Sequence, residues 1–486
     1  MHKDLYRRQF LISETECNSL NGWQKGSIGS YHIYVHPDTA INILENSTNH
    51  SQIALIGFII NPHAPLESNL DILKQLCENV SIESITKKLY HYTGRFVLIV
   101  KKNNDYSIFH DPCGLRSVFY TQFENKLYAA SQPLLFKSVI SLIEGDRYYK
   151  YNKSKYKEID NEHWIPCGCS LFENVYQLVP NHYLDCKAFK QNRFWPNQKI
   201  SQISLDEAVV KASKILKNTM IAYNTRFKLA LPLTAGFDSR TILSACKEIA
   251  NDVFFYTLQY RGLNLDSGDL KVPRNLLSRL GYPHHIIDCR KPTDKNFAEV
   301  YEKNSDMSHL NDWGNFAYGM QNALPDERVV IKGNCTEIAR CFYYKSGTHP
   351  AVESVENIFN LVSGIEKVDF AKDELSKWFI EIKKVEADFG YDIFDMFYWE
   401  QRLGSWQAQN QLEWDIVQDA ATPFNNRELI DITLFVDVKY RHKPDYLLYK
   451  KMMNYMWKET LAEPLNPVPF YHKLLVLYDI LKKKFK

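Results

Sequence analysis

Leu231-Pro232-Leu233-Thr234-Ala235-Gly236-Phe237-Asp238-Ser239-Arg240 decides the fold of the second half of this chain. Before it, Phe227 to Leu233 reads as a strand. After it, Ser239 to Ile249 reads as a helix with Ile242, Leu243, Cys246 and Ile249 on one face. The small residues at 234 to 236 let the backbone approach an anion closely. The helix start offers free N–H groups and the positive end of its dipole. Thr234 and Ser239 add hydroxyl donors. Asp238 is unfavourable beside a phosphate unless a divalent cation lies between them. These features predict a pyrophosphate cradle with a metal; the plainer alternative is an ordinary strand-to-helix turn.

Outward from this loop the period keeps alternating. Val253 to Leu258 reads as a strand, Leu270 to Leu280 as a helix stopped by Gly281, and His284 to Asp288 as a strand. That βαβαβ order predicts a doubly wound parallel sheet. Upstream, Ser204-Leu205-Asp206-Glu207 reads as a capping box that opens a helix continued by Ala208, Val209, Ala212, Ile215, Leu216 and Met220. Residues 1–196 look strand-rich and α+β, with buried strands at Ile53 to Ile60 and Arg95 to Val100, a turn at Asn103-Asn104-Asp105, and helical spacing from Leu70 to Leu89. The chain thus divides into a domain over 1–196, a second over 204–467 whose later part is mostly helical, and a tail over 468–486. Within the tail, Leu474, Leu475, Tyr478, Leu481 and Phe485 share one side of a candidate helix that ends in lysines. Packing with a solvated end is preferred there over contact with a membrane surface.

With 486 residues, 45% of them hydrophobic, the chain can build two or three ordinary cores. A net charge of +2 gives no electrostatic footprint for nucleic acid. Met1-His2-Lys3-Asp4-Leu5-Tyr6-Arg7-Arg8 leads into no long apolar stretch, and no run approaches the ~20 residues of a spanning helix, so the sequence predicts a cytoplasmic protein. The ten cysteines include no CxxC pair, and Cys167-Gly168-Cys169 reads as two reduced thiols in a turn.

The loop at 234–239 resembles the SGGxDS pyrophosphate loop of the asparagine synthetase family. Thr234 stands for its serine, Ala235 for its first glycine, and Gly236, Asp238 and Ser239 match directly. Val330-Ile331-Lys332-Gly333-Asn334-Cys335-Thr336-Glu337, closed by Tyr343, resembles the second strand-loop of that family, with Cys335 and Ile338 as departures. Arg402-Leu403-Gly404 and Pro423-Phe424-Asn425-Asn426-Arg427 resemble its late helical region, and Lys443 before Leu447-Leu448-Tyr449-Lys450 has about the spacing of its active-site lysine. In the first half, Thr93-Gly94-Arg95-Phe96, His110 to Tyr120, Ala130-Ser131-Gln132 and Leu178 to Leu184 resemble the glutaminase domain, an N-terminal-nucleophile-like layered sandwich.

The resemblance implies an ATP-pyrophosphatase-type domain that binds ATP through Leu233, Thr234, Ala235, Gly236, Asp238, Ser239, Arg240 and Gly333. Asp238 and Glu337 would hold Mg²⁺, and Lys443 would be catalytic. For Glu337 a solvated loop stays open as the alternative; for Lys443, a solvated basic face shared with Arg441, Lys450 and Lys451. The implied reaction is AMP-forming amide ligation. A small-molecule or sugar carboxylate is activated as its acyl-adenylate for an amine or ammonia, with surface polysaccharide biosynthesis as a setting. Ammonia-dependent asparagine synthesis and a non-catalytic nucleotide-binding regulator are the alternatives. The glutaminase nucleophile is a cysteine at the mature N-terminus. Here the first cysteine is Cys17, outside the family context, so the first domain is expected to be catalytically inactive.

Overall fold

The computed structural model describes residues 3–159, 161–325, 327–344, 349–350 and 352–467. The first half contains two six-stranded antiparallel sheets. Their strands are β1 (Phe10–Ser13), β2 (Gln24–Ile28), β3 (Tyr31–Val35), β4 (Ile41–Asn46), β5 (Ser51–Ile60), β6 (Thr93–Lys102), β7 (Asp105–His110), β8 (Phe119–Phe123), β9 (Lys126–Ala130), β10 (Val175–Gln177), β11 (His182–Asp185) and β12 (Lys190–Arg193). One sheet runs β10-β8-β9-β1-β3-β2 and the other β12-β11-β7-β6-β5-β4. Phe10, Ile12, Ile33 and Val35 of the first join Ala54, Ile56, Val97 and Ile99 of the second in one buried cluster. Alternate residues of β5 and β6, among them Ile53, Leu55, Phe96 and Leu98, form another cluster with Ile72, Leu76 and Ile85. Those last three lie on two helices, Asn69–Glu78 and Ile82–Leu89. The single helical stretch expected from Leu70 to Leu89 is therefore broken. The Ser81 side chain accepts from Ser84 N and starts a new helix, a cap worth about 1 kcal/mol.

The second half carries a five-stranded, all-parallel sheet: β13 (Lys228–Pro232), β14 (Val253–Gln259), β15 (His285–Asp288), β16 (Arg328–Ile331) and β17 (Asp419–Ala421), in the order β15-β14-β13-β16-β17. The chain winds outward from β13 to β15, then returns to the other side of β13 for β16. The order reverses at that point, so the crevice at the carboxyl ends of β13 and β16 is where such a sheet accepts ligands. Helix Gly268–Leu280 stops at Gly281, whose φ of +81° is the left-handed cap that favours glycine. Helix Leu205–Arg226 begins at Ser204, which accepts from Glu207 N. The expected reciprocal half of the box is replaced by a surface pair, Glu207 with Lys211 at 2.7 Å. All ten cysteines are free thiols, and Cys167 and Gly168 are both left-handed in their turn. The tail expected over 468–486 lies outside the described residues. No helix among those described is long and apolar enough to cross a membrane.

The two halves share polar contacts that are fully buried. Arg95 of β6 holds Asp415 with 2.5 and 2.7 Å contacts. The Asn425 amide donates to Asp111 Oδ1 at 2.7 Å and to the Gly94 carbonyl at 2.9 Å, while its own oxygen accepts from Cys113 N.

Candidate functional site

Thr234, Ala235 and Gly236 leave the end of β13, and helix Phe237–Ala245 follows with Asp238 in its first turn. Leu233 is the last residue tied to the sheet: its N–H donates to the Tyr256 carbonyl and its own carbonyl accepts from Thr257 Oγ1, both at 2.7 Å. The expected hydroxyl donors face each other, with Thr234 Oγ1 and Ser239 Oγ 3.2 Å apart. Three of the loop N–H groups are held by side chains: Thr234 N by Ser239 Oγ and Ala235 N by Asp269 Oδ1, each at 3.0 Å, and Gly236 N by Thr234 Oγ1 at 3.2 Å. Asp269 sits in the first turn of the helix that follows β14. The Asn466 N–H donates to the Ala235 carbonyl, so the end of the described chain crosses the loop.

From the neighbouring strand β16, the second loop comes close enough to share this site. A Cβ on Gly333 would lie 3.1 Å from Asp238 Cβ and from Ser239 N. Any larger residue there would push the two loops apart by a few tenths of an ångström. Thr336 Oγ1 donates to Asp238 Oδ1. Arg340 Nη2 lies 2.8 Å from Asp238 Oδ1 and 3.7 Å from Glu337 Oε1. Asp238 and Glu337, 99 positions apart in the sequence, are thus gathered around one guanidinium. Burial pushes the Glu337 carboxyl up to about 7, and the Asp238 charge pushes the same way in spite of Arg340. Two carboxylates and a hydroxyl with a surplus of negative charge form an oxygen donor set that fits a hard divalent cation.

Comparisons with known proteins add little to this geometry. No family model matches the chain. The amidase chry2 of Gibberella zeae is 22% identical over 164 residues, 31% of this chain. The chain spans only 23% of that relative's length. Among solved structures it is similar to glutamine phosphoribosylpyrophosphate amidotransferase from B. subtilis, complexed with ADP and GMP, at 11% identity over 76% of this chain and 88% of that one. A second structure, the allosteric regulatory enzyme of purine biosynthesis, matches at 11% over 76% and 87%. Both have a TM-score of 0.25, at which neither bears on the fold.

Arg240 departs from its expected place. Its guanidinium is buried and donates to the carbonyls of Thr460, Glu463 and Pro464, so three of its five N–H groups anchor the end of the described chain. The side chain of Lys443 is exposed, and it has no ion-pair partner among the described residues. Its segment nevertheless passes the site: three residues on, the Tyr446 ring packs on Phe237 at 4.7 Å and under the Arg340 guanidinium at 5.4 Å. The neighbouring cations are committed elsewhere. Arg441 is buried against Asp395 at 3.1 Å, Lys451 pairs with Asp206 at 2.7 Å, and Lys450 lies 3.9 Å from Asp445.

Sequence reasoning missed Arg340, Asp269, Tyr446 and Asn466. Arg340 follows Glu337 by three residues, the spacing of neighbours on a helix, and Asp269 stands at a helix start after a strand; both signals were present. Nothing local marks Tyr446 or Asn466.

Proposed function

We propose that this chain is an ATP-dependent, AMP-forming amide ligase of the asparagine synthetase kind. The supporting observation is where the two acidic loops meet. Asp238 and Glu337 follow adjacent parallel strands at the point where the strand order reverses, with an oxygen donor set between them. Residues 234–239 would hold the pyrophosphate of ATP, with Gly333 allowing the close approach, and Asp238 and Glu337 would hold Mg²⁺. That ion would neutralise charge on the phosphate oxygens. A carboxylate oxygen of the acid, a small molecule or a sugar acid, bonds to the α-phosphorus as pyrophosphate leaves. An amine or ammonia then bonds to the acyl carbon, loses a proton, and AMP leaves. Residues 204–467 form the synthetase-like unit in this reading. Residues 1–196 form the N-terminal-nucleophile-like sandwich, inactive as a glutaminase.

One observation favours the regulator as a second reading. Asp238 is engaged by Arg340 and Ala235 N by Asp269, so groups that should face the nucleotide are satisfied within the protein. Exchange of labelled pyrophosphate into ATP, run with a panel of acids, separates the two. The ligase shows acid-dependent exchange that falls about 10²-fold or more in Asp238→Ala, with circular dichroism unchanged. Exchange as fast in the variant as in the native chain overturns the loop assignment. Nucleotide binding without exchange for any acid establishes the regulator.

A further inference from the structure

β5 and β6 pair along their whole length and end together, with Ile60 opposite Thr93. The register therefore brings the residues just after β5 and just before β6 to one edge of the sheet, and His63 and His91 lie there. Against that edge sits the first turn of helix Arg427–Leu434, which contributes Glu428. His63 Nε2 is 2.6 Å and His91 Nδ1 2.8 Å from the same oxygen, Glu428 Oε2. The imidazole planes cross at 81° with centroids 5.4 Å apart, so the rings converge on the carboxylate instead of stacking on one another.

Much of the backbone under this cluster is fixed. Glu428 N donates to the Tyr90 carbonyl at 3.1 Å, and Asn426 Nδ2 donates to the His91 carbonyl at 2.8 Å. Asn426 is also the cap of the helix, its Oδ1 accepting from Leu429 N at 2.7 Å. The His63 N–H donates to Asn61 Oδ1 at 3.0 Å. Two histidines from the first half and one carboxylate from the second are thus held in place before any ligand arrives. His63 is 48% and His91 45% exposed, so an ion can enter from solvent, while Glu428 is 18% exposed.

We propose that His63, His91 and Glu428 form a binding site for one divalent transition-metal ion, Zn²⁺ first among them, that clamps the two halves of the chain together. The three ligating atoms lie within 4.8 Å of one another. Tetrahedral zinc with bonds of about 2.0–2.1 Å spaces its ligands by roughly 3.3 Å, so both N···O contacts would lengthen by a fraction of an ångström while the two ring nitrogens, within 4.8 Å of each other, settle to a similar spacing. Two imidazoles and one carboxylate suit zinc, nickel or copper and not magnesium, which prefers an all-oxygen octahedron. Water would complete the coordination on the exposed side. The site shares no residue with the candidate nucleotide site, so it stands or falls separately from the ligase reading.

The test uses the full chain, stripped with a chelator and titrated with Zn²⁺ and Co²⁺ by calorimetry and visible absorption. The native chain should take up one equivalent with micromolar affinity and gain thermal stability. Its Co²⁺ form should show d–d bands without the thiolate charge-transfer band that any of the ten cysteines would produce. His63→Ala and His91→Gln should each weaken binding tenfold or more and remove the thermal gain; both side chains are half-exposed, so the fold survives. Glu428→Gln should do the same while keeping the shape of the side chain. No stoichiometric uptake by the native chain, undiminished uptake by His63→Ala/His91→Ala, or a thiolate spectrum overturns the proposal.

Discussion

Arg340 Nη2 lies 2.8 Å from Asp238 Oδ1, and the same nitrogen is 3.7 Å from Glu337 Oε1. One cationic side chain therefore stands between the two carboxylates that the ligase reading gives to a divalent ion. Arg340→Gln removes the cation in direct contact with Asp238 and leaves Arg402 as a weaker balancing charge on Glu337. Breaking a fully buried pair costs about 3–5 kcal/mol. With Asp238 30% exposed, about 1–3 kcal/mol is expected here. The variant should melt lower than the native chain in a chelator, and Mg²⁺ should recover more stability in the variant than in the native chain. Equal Mg²⁺ responses would show that the carboxylates do not share an ion.

The Glu337 carboxyl, pushed up to about 7 by burial and then by Asp238, makes that response pH-dependent. Between its ordinary value and about 7 the folded state holds a proton that the unfolded state has lost. This group's contribution to stability therefore falls as pH rises through that window. Mg²⁺ binding runs the other way, because the ion must displace the proton. From pH 8 to pH 6 the apparent Mg²⁺ affinity should drop roughly tenfold, as expected for one competing proton with a pKa near 7. Glu337→Gln should flatten that profile. A flat profile in the native chain would place the metal elsewhere.

What could be read in advance followed local pattern. The strand, loop and helix from Lys228 to Ala245 were legible because the hydrophobic period switches from strand to helix across three small residues. β17 was not: Asp419-Ala420-Ala421 has no β-branched side chain and becomes a strand only because it pairs with Val329 to Ile331. Nor could local pattern reveal the contacts between the halves. Asn425 and Cys113 are 312 positions apart, yet the amide of one receives the N–H of the other. Arg95, within an apolar run that reads as plain strand, is a buried cation completed by Asp415. The segments that carry the family resemblance in the first half, Gly94-Arg95 and Asp111-Pro112-Cys113, are where the second half docks. Their pattern is explained by the interface without any glutamine chemistry.

Glutamine hydrolysis should be absent. Cys17 is buried at 2% exposure, with its N–H donating to the Tyr34 hydroxyl at 2.7 Å. Exposing it as an N-terminal residue would delete β1, which pairs with β3 on one side and β9 on the other in the middle of its sheet. Its free amine could act as the base only in a chain that had lost that strand. Purified protein should release no glutamate from glutamine above a buffer control. Release that vanishes in Cys17→Ala would show that the first half is an active glutaminase.

Lys443 is the sharpest remaining test of the ligase. Among the cations of its segment, Arg441 is tied to Asp395, Lys450 lies near Asp445 and Lys451 is tied to Asp206, whereas Lys443 is exposed and paired with no described residue. Three residues on, Tyr446 touches both Phe237 and Arg340 at the edge of the cradle. A catalytic role for Lys443 requires its ammonium to meet charge that develops only during the reaction. Lys443→Ala should then lower kcat about 10²-fold or more and leave ATP binding nearly unchanged, because contacts made only in the transition state appear in kcat. Lys443→Arg should also be impaired, since a planar guanidinium cannot take the place of a compact ammonium. Lys450→Ala and Lys451→Ala lose only surface pairs, worth about 0–1 kcal/mol, and should remain active. Loss of activity in either control with Lys443→Ala intact would move the catalytic lysine along the segment. Full activity in all three would leave the segment a solvated basic face and remove the lysine from the mechanism.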